Sequence, residues 1–208
     1  MVNLLMKSSG SFPRVYLIRH GQTEWSLSGQ HTGRTDIPLT AYGVEEAAHL
    51  QTRLAGITFA HVLTSPRVRA RRTCELAGLG ASAKIEEELR EWEYGDFEGL
   101  TSAQIQARSP GWNAYVDGFP GGESPAAVLE RASRFVQHLR SLEGEIAVFS
   151  HGHFLRILTV AWIGFPITTV PKLSLATASV GILSHEHNRA DRPVISLWNE
   201  TRVAPFKA

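Results

Sequence analysis

The sequence is poor in cysteine and in long apolar runs. Cys74 is the one cysteine of the chain, so no disulfide can form within it. Disulfides are typical of oxidising compartments, and their exclusion here fits a reducing one. No apolar run approaches the length that crosses a bilayer, and residues 1–12 lack the apolar core of a signal peptide. We therefore expect a cytoplasmic protein with no membrane partner, whose residues 1–12 are flexible.

An excess of charge of either sign is also missing. Lys and Arg number 21 against 20 Asp and Glu, which gives a formal net charge of +1. Because general nucleic-acid binders carry a strongly basic surface, this balance predicts no nucleic-acid partner. A locally basic pocket for an anionic small molecule is compatible with a nearly neutral whole.

Two further patterns are lacking, a full set of metal ligands and a nucleotide-binding loop. The sequences His-Gly-His at 151–153 and His-Glu-His at 185–187 each bring two imidazoles together, whereas metal sites need three or four converging ligands. The Gly-Leu-Gly at 78–80 lacks a third glycine, and no Walker-type Gly-Lys-Ser/Thr occurs. We therefore predict neither a metal nor another cofactor.

What the sequence does contain is an alternation of short apolar runs and helical periodicity. Five runs predict strands, at residues 15–18, 61–63, 146–149, 179–183 and 194–198. The first three have no polar alternation, which is typical of strands buried on both faces of a parallel sheet. With 208 residues, the chain is long enough for one domain and short for two. We predict a single domain over 1–208, a three-layer α/β/α sandwich with a mostly parallel central sheet.

Helix starts are indicated at four places. Thr40 precedes a helical stripe, and Ser65 and Ser124 each precede a proline, a pair typical of an N-cap and the first helical residue. A fourth helix is expected over 153–163. If Ser65 serves as a helix cap, its replacement by alanine should lower stability rather than reaction rate.

Polar residues suited to an anion follow the first three strands. Arg19 and His20 follow the first strand, Ser65 and Arg69 the second, and His151 the third. Ligands of open parallel sheets bind in the crevice outside the carboxyl ends of the strands. We therefore expect both histidines and both arginines to converge in one pocket. The helices that follow the second and third strands would also point backbone N–H groups at an anion.

These residue types suit phosphoryl transfer. Arg19 and Arg69 can supply forked N–H donors that match phosphate oxygens. A neutral imidazole at His20 is a competent nucleophile, and neighbouring cations favour its neutral form. His151 would complete the clamp on the phosphoryl oxygens.

A general acid is also needed, to protonate the leaving alkoxide and then to take a proton from the attacking water. Glu91 is our candidate for this role. Spacing alone does not select it over Glu93 or Glu98.

Four motifs resemble the signature of the histidine phosphatase superfamily, in its phosphoglycerate mutase-like branch. They are Arg-His-Gly-Gln-Thr-Glu-Trp at 19–25, Ser-Pro with a following Arg-Ala at 65–70, Leu-Arg-Glu-Trp-Glu-Tyr-Gly at 89–95 and Ser-His-Gly at 150–152. All four occur in the order that the family has. The resemblance implies a phosphoglycerate mutase-like fold and no metal.

The same resemblance implies roles for the catalytic residues. His20 becomes phosphohistidine, and Glu91 donates the proton. The residues that bind the phosphoryl group are Arg19, Arg69 and His151.

Finer features are similar to the sedoheptulose-1,7-bisphosphatase group. They lie in residues 25–40, 90–96 and 151–153. This implies a metal-independent phosphatase that hydrolyses a small phosphorylated metabolite, a sugar bisphosphate such as sedoheptulose 1,7-bisphosphate. Carried over by motif position, the substrate-binding residues are Gln22, Thr23, Ser26, Thr32, Gly33, Tyr94, Gly152 and His153.

The segment 96–122 departs from the mutases of the family. It contains one basic residue, Arg108, where mutases carry a Lys and a pair of Arg, so we favour a phosphatase over a phosphoglycerate mutase. It offers Trp112, Tyr115 and Phe119 instead, which we interpret as a lid over the substrate. The motifs are also compatible with a broad-specificity phosphatase or with a catalytically silent phospholigand-binding module. The sequence leaves the oligomeric state open between a monomer and a homo-oligomer.

Overall fold

The computed structural model describes residues 12–202, which form one six-stranded sheet with helices on both faces. All five predicted strands are present, and a short edge strand, the third, is an addition. The strands are β1 (Arg14–Arg19), β2 (Phe59–Thr64), β3 (Ala83–Ile85), β4 (Glu145–Ser150), β5 (Val180–His185) and β6 (Pro193–Glu200).

The predicted flexibility of the N-terminus falls almost entirely outside the described residues, since it concerns positions 1–12. Phe12 is described, and its backbone N–H donates to Asn188 Oδ1 at 2.8 Å.

The order of strands in the sheet is β3-β2-β4-β1-β5-β6. The pairs β2–β3, β2–β4 and β1–β4 are parallel, and the pairs β1–β5 and β5–β6 are antiparallel. The predicted mostly parallel sheet is therefore confirmed. Because β2, β4 and β1 are neighbours and run in one direction, the residues that follow them meet at one edge of the sheet.

Helices connect the strands and cover the sheet. They are α1 (Glu24–Ser28), α2 (Ala41–Arg53), α3 (Val68–Leu76), α4 (Ser102–Arg108), α5 (Ala114–Asp117), α6 (Pro125–Ser141) and α7 (Gly152–Ile163). In the part of the chain that the structure describes, none of these helices is long and apolar enough to cross a membrane.

The two faces of the sheet bury two separate apolar clusters, as the alternation of side chains along β1 shows. Val15 and Leu17 pack in the cluster that α6 and α7 complete. Tyr16 and Ile18 point to the opposite face, into the cluster that α2 and α3 complete. This arrangement confirms the predicted three layers.

Two of the predicted helix caps are present. The Thr40 hydroxyl accepts from the N–H of Gly43 at 3.0 Å, and the Ser124 hydroxyl accepts from the N–H of Ala127 at 3.1 Å. Each hydroxyl thus satisfies an N–H group that the first helical turn leaves without an intrahelical partner.

The predicted cap at Ser65 is wrong. The N–H of Ser65 donates to the carbonyl of Phe149 at 2.9 Å, so the chain still runs alongside β4 one residue past the end of β2. Helix α3 begins three residues later, at Val68, with Arg67 as an N-cap that makes no side-chain capping bond. The N–H of Val68 is satisfied by Asp36 Oδ1 at 2.8 Å instead.

Candidate active site

A cavity of about 320 Å³ opens beside the carboxyl end of β1. Two guanidiniums and one carboxylate line it together with three imidazoles, and the excess of guanidiniums over carboxylates suits an anionic ligand. The lining residues are Arg19, His20, Trp25, Ser26, Gly29, Gln30, His31, Thr32, Glu91, Tyr94, Ser102, His153 and Arg156.

His20 presents one unprotonated ring nitrogen. Its Nδ1 lies 2.7 Å from the carbonyl of Gly21, which can only accept, so Nδ1 carries the hydrogen and Nε2 keeps its lone pair. Burial lowers the pKa of His20 well below its usual range, and the charges of Arg69 and Arg19 lower it further. The ring is therefore neutral near pH 7 and able to act as a nucleophile.

His151 lies behind His20, fully buried, with the two ring centroids 5.2 Å apart. The Nε–H of Arg69 donates to His151 Nδ1 at 3.1 Å, so the hydrogen of the neutral ring is on Nε2. This Nε2–H donates to the hydroxyl of Ser65 at 2.7 Å. Burial and the nearby Arg69 charge lower the pKa of His151 well below its usual range, which keeps the ring neutral.

Arg69 ties a loop to this histidine. Its two terminal nitrogens donate to the carbonyls of Thr32, Gly33 and Thr35 at 2.9 to 3.1 Å. The side chain is completely buried and is not among the residues that line the cavity. Its positive charge nevertheless acts on both His20 and His151.

Arg19 lines the cavity at the end of β1. Its Nη1 donates to the carbonyl of Leu175, while its buried Nε has no hydrogen-bond partner among the described residues. A Cβ added to Gly152 would stand 3.3 Å from the guanidinium carbon of Arg19. The glycine thus leaves room for the guanidinium next to the start of α7.

The carboxylate of Glu91 is fixed by three backbone N–H groups. Oε1 accepts from Trp92 at 2.9 Å and from Phe154 at 2.8 Å, and Oε2 accepts from His153 at 3.0 Å. The N–H groups of α7 that were expected to bind the substrate anion therefore hold Glu91 instead, and that expectation is wrong for this helix. The favourable interaction of a helix N-terminus with a negative charge is the same in both cases.

The structure also separates Glu91 from its two sequence competitors. Glu98 is absent from the cavity lining, and its Oε1 accepts from the backbone N–H groups of Gly33 and Thr35. Glu93 is 39% exposed and contacts Arg90 at 3.5 Å. Of the three carboxylates, Glu91 is the one that lines the cavity.

A further part of the cavity lining consists of His153, Tyr94 and His31. Burial raises the pKa of Tyr94 and lowers the pKa of His153, so the phenol stays protonated and the imidazole neutral. The phenol oxygen lies 2.7 Å from His153 Nδ1. His31 stacks on His153 with ring centroids 5.8 Å apart, and its Nδ1 lies 2.8 Å from the carbonyl of Leu100.

Four of the eight expected substrate-binding residues line the cavity, and four do not. Ser26, Thr32, Tyr94 and His153 are in the lining, whereas Gln22, Thr23, Gly33 and Gly152 are not. The hydroxyl of the fully buried Thr23 caps α1, Gly33 binds Glu98, and Gly152 packs against Arg19.

Gln22 supports the loop that follows His20. Its backbone N–H donates to Glu46 Oε2 at 2.9 Å, and its side-chain oxygen accepts from the hydroxyl of Thr40 at 2.9 Å. This expected substrate contact is therefore replaced by contacts with α2 and its cap.

The aromatic segment does not form a lid. Phe119 is buried, and Trp112 and Tyr115 pack against the larger apolar cluster. All three rings contact cavity-wall residues from behind and are absent from the cavity lining. They pack because their apolar area is better buried against the wall than held over a polar cavity.

Sequence reasoning missed several lining residues, above all Arg156 and His31. Arg156 follows His153 by three positions on α7, which places both on one face of the helix. Its Nε donates to the carbonyl of Gly152 at 3.0 Å, so the guanidinium stays beside the start of the helix. The helical spacing was a usable signal for Arg156, whereas His31 lies on a loop that offers no periodicity.

Among residues 12–202, no three His, Cys, Asp or Glu side chains come close enough together to hold a metal ion.

The model of the histidine phosphatase superfamily (branch 1) matches residues 15–201 of the chain. The chain belongs to this superfamily. The match includes all four motifs and every residue that was assigned a catalytic role from the sequence.

Individual members of the superfamily are similar over almost the whole chain. An acid phosphatase of Mycobacterium tuberculosis is 38% identical, over 88% of this chain and 92% of its own. A sedoheptulose 1,7-bisphosphatase of Saccharomyces cerevisiae is 34% identical, over 89% of this chain and 92% of its own. The solved structure of an open reading frame from M. tuberculosis has a TM-score of 0.83 at 35% identity, and covers 90% of this chain and 97% of that chain.

These likenesses confirm the predicted family and the predicted phosphoglycerate mutase-like fold. Two of these relatives are named as phosphatases. The chain is a phosphatase of the histidine phosphatase superfamily, that is, a phosphoric monoester hydrolase.

Proposed function

We propose that this phosphatase is metal-independent and hydrolyses a small sugar bisphosphate, such as sedoheptulose 1,7-bisphosphate, through a phosphohistidine on His20. The observation that carries the proposal is the state of His20. Its ring is neutral, its Nδ1–H is bound to a carbonyl, and its Nε2 lone pair is unprotonated. Arg19 and Glu91 line the same cavity.

In the first step, His20 Nε2 attacks the phosphorus atom of the substrate. An N–P bond forms while the bond from phosphorus to the ester oxygen breaks, and the bonding electrons leave with that oxygen. Glu91, in its protonated form, gives its proton to the leaving oxygen and so releases an alcohol. The product of this step is phosphohistidine with a Glu91 carboxylate.

In the second step, a water molecule attacks the phosphohistidine. The Glu91 carboxylate takes a proton from that water, an O–P bond forms, and the N–P bond breaks. The electrons return to Nε2, orthophosphate leaves, and His20 and Glu91 are restored to their starting states.

The cationic groups stabilise the negative charge that spreads over the phosphoryl oxygens. Arg19 contacts these oxygens directly from the cavity wall. The buried Arg69 acts through its positive charge, whose effect a low-dielectric environment strengthens. The neutral His151, held by hydrogen bonds to Arg69 and Ser65, lies beside the His20 ring. The hydrogen bonds of Arg69 to the loop at 32–35 keep its charge in place.

A second anionic group on the substrate is supported by Arg156. This guanidinium and that of Arg19 line one cavity of about 320 Å³. One cation can serve the phosphoryl group that is transferred, while the other binds a second phosphate. The yeast relative named as a sedoheptulose 1,7-bisphosphatase supports the same substrate class.

A broader acid phosphatase activity is the second candidate. The mycobacterial relative is named as an acid phosphatase. Since the pKa of His20 lies well below its usual range, the nucleophile stays unprotonated in mildly acidic solution. This observation favours activity in mildly acidic solution without selecting a substrate.

The deciding experiment is a phosphate-release assay in the presence of EDTA. The substrates are sedoheptulose 1,7-bisphosphate, fructose 1,6-bisphosphate, sugar monophosphates and p-nitrophenyl phosphate. Wild type is compared with His20→Ala and with His49→Ala, a control at an exposed position of α2.

Efficient, His20-dependent release from the bisphosphates alone would support the proposal in full. Equal release from all substrates would keep the mechanism and replace the substrate assignment by the broader activity. Release that survives His20→Ala, or that EDTA abolishes, would contradict the mechanism.

A further inference from the structure

Arg131 is a buried arginine outside the cavity whose guanidinium is fully used. It lies in the middle of α6 and is 2% exposed. Its five N–H groups all donate, to three backbone carbonyls and to both carboxylate oxygens of Glu123. A guanidinium that is desolvated and satisfied at every position is locked in one orientation.

The three carbonyls belong to the segment that carries Glu91. Nη1 donates to the carbonyls of Glu88 at 2.6 Å and Arg90 at 2.8 Å, and Nη2 donates to the carbonyl of Glu91 itself at 3.3 Å. Apart from one 3-10 turn at Glu87–Leu89, this segment is irregular and belongs to no strand or α-helix. Arg131 thus supplies the hydrogen bonds that regular secondary structure would otherwise provide.

Glu123 fixes the other side of the same segment. Its carboxylate pairs with Arg131 through two parallel bonds of 2.8 and 2.7 Å. Its backbone N–H donates to the carbonyl of Glu93 at 3.0 Å, and its carbonyl accepts from the indole of Trp92 at 2.8 Å. The ion pair therefore connects α6 to the residues directly after Glu91.

Arg131 also touches the helix that binds the carboxylate of Glu91. Its guanidinium carbon lies 4.3 Å from the ring centroid of Phe154, whose backbone N–H donates to Glu91 Oε1. The backbone of Glu91 and the N-terminus of α7 are thus both in contact with one side chain.

We propose that Arg131, paired with Glu123, is a positioning residue that sets the place of the Glu91 carboxylate in the cavity. The proposal rests on the proposed function, in which Glu91 is the proton donor. Proton transfer in the transition state needs the carboxyl within hydrogen-bond reach of the leaving oxygen. Arg131 fixes the main chain of Glu91 from one side, and α7 fixes its oxygens from the other. A shift of either support moves the acid away from the leaving group.

The test uses conservative variants, because removal of one partner of a buried ion pair can unfold the protein. Arg131→Lys keeps the charge and loses the fork. Glu123→Gln keeps the shape and loses the charge of the partner. Arg134→Lys is the matched control, since Arg134 lies one turn further along α6, is 55% exposed, and pairs with Glu88 at the surface.

The measurement is kcat/KM for two substrates that differ in their need for an acid. An alkyl phosphate such as glycerol phosphate has a poor leaving group, whereas p-nitrophenyl phosphate needs little protonation. We expect both variants to lose about tenfold to hundredfold on the alkyl ester, the cost of a displacement of roughly 1 Å. They should lose far less on the nitrophenyl ester, and the control should match wild type on both.

All assays are run below the unfolding temperature of every variant, so that a general loss of stability cannot imitate the selective loss. Equal losses on the two substrates in both variants would overturn the proposal, because a merely structural role does not distinguish leaving groups.

Glu91→Gln, measured in parallel, distinguishes the acid role of Glu91 from the positioning role of Arg131. If Glu91→Gln is selective for the alkyl ester and the Arg131 and Glu123 variants are not, the positioning role alone is overturned. If Glu91→Gln slows both substrates alike, the acid role of Glu91 fails, and the positioning role fails with it.

Discussion

At the scale of single residues, the site is built from imidazoles that the fold keeps neutral. His20 and His151 are buried, His153 is partly exposed on the cavity wall, and desolvation lowers the pKa of each well below the usual range. Neighbouring guanidiniums lower these pKa values further. A neutral imidazole has one unprotonated nitrogen, which can attack phosphorus, and one N–H, which can donate a hydrogen bond. Hydrogen bonds to fixed partners determine which of the two nitrogens carries the hydrogen.

Replacement of Arg156 should weaken the binding of a substrate that carries two phosphates. Arg156→Met should raise KM for a sugar bisphosphate by about tenfold to hundredfold, since a charge-assisted contact with phosphate contributes about 1.5–3 kcal/mol. KM for p-nitrophenyl phosphate, which has one phosphate, should change little. Steady-state kinetics on both substrates checks this, with Arg108→Met at an exposed position of α4 as the control. A parallel rise in KM for both substrates would contradict the assignment of Arg156 to a second anionic group.

The sequence located the side chains predicted to be catalytic somewhat better than those predicted to contact the substrate. Arg19, His20 and Glu91 line the cavity as predicted, whereas Arg69 and His151, which were predicted to bind the phosphoryl group, are fully buried and absent from the lining. Gln22 and Gly33 were assigned to the substrate from motif position, although their partners are protein groups. A motif shows which residues are needed together, but it does not show whether a residue touches the ligand or supports one that does.

At the scale of secondary-structure elements, the boundary between β2 and α3 matters most. The Ser-Pro pair at 65–66 predicts an N-cap from local preference alone. In the structure, Ser65 stays hydrogen-bonded to the neighbouring strand β4, and its hydroxyl reaches His151 on the next loop. These tertiary contacts thus override the local preference of Ser-Pro for a helix start. They cannot be predicted from residues 60–70 alone.

Ser65 and Ser124 therefore respond differently to replacement by alanine. Ser65→Ala leaves the Nε2–H of His151 without its acceptor, so we expect a loss of about 1–3 kcal/mol in stability. It should also lower kcat about tenfold, less than the 10²–10³ typical of the removal of a direct donor. Ser124→Ala removes a true N-cap and should cost about 1 kcal/mol with kcat unchanged.

Denaturant unfolding and steady-state kinetics on the two serine variants check this prediction. If Ser65→Ala behaves like Ser124→Ala, with lower stability and a normal kcat, the contact of Ser65 with His151 has no part in the reaction.

At the scale of the whole molecule, the sheet brings together residues that are far apart in the sequence, such as His20 and His151. The alternation of strands and helices predicted this convergence, since adjacent parallel strands end at one edge. It did not predict that β5 and β6 run antiparallel, or that the loop before β5 holds Arg19. Strand direction depends on the path by which the chain returns to the sheet, and a short apolar run does not indicate that path.

The neutral histidines of the site predict how global stability depends on pH. In the unfolded chain these rings take up protons near pH 6.5, whereas in the folded protein they do so at much lower pH. Below about pH 6.5 the unfolded state therefore binds more protons, and the free energy of unfolding should fall as the pH falls. Each histidine contributes at most about 1.4 kcal/mol per pH unit in this window.

Urea unfolding between about pH 7.5 and about pH 4.5, on either side of the unfolded pKa, checks this dependence. His153→Gln removes one of the titrating rings and should make the fall with acidification shallower. Stability that stays constant or rises on acidification through this range would show that the rings are not held neutral.

In the proposed reaction, His20 carries the phosphoryl group. The most direct test is to mix the enzyme with a phosphorylated substrate, quench within milliseconds in alkali, and map phosphorylated peptides by mass spectrometry. Phosphohistidine survives alkali and is lost in acid. We predict an alkali-stable phosphoryl group on the peptide that contains His20, and its absence in His20→Ala. A phosphoryl group on another residue, or steady turnover with no labelled His20 at any time point, would contradict the claim.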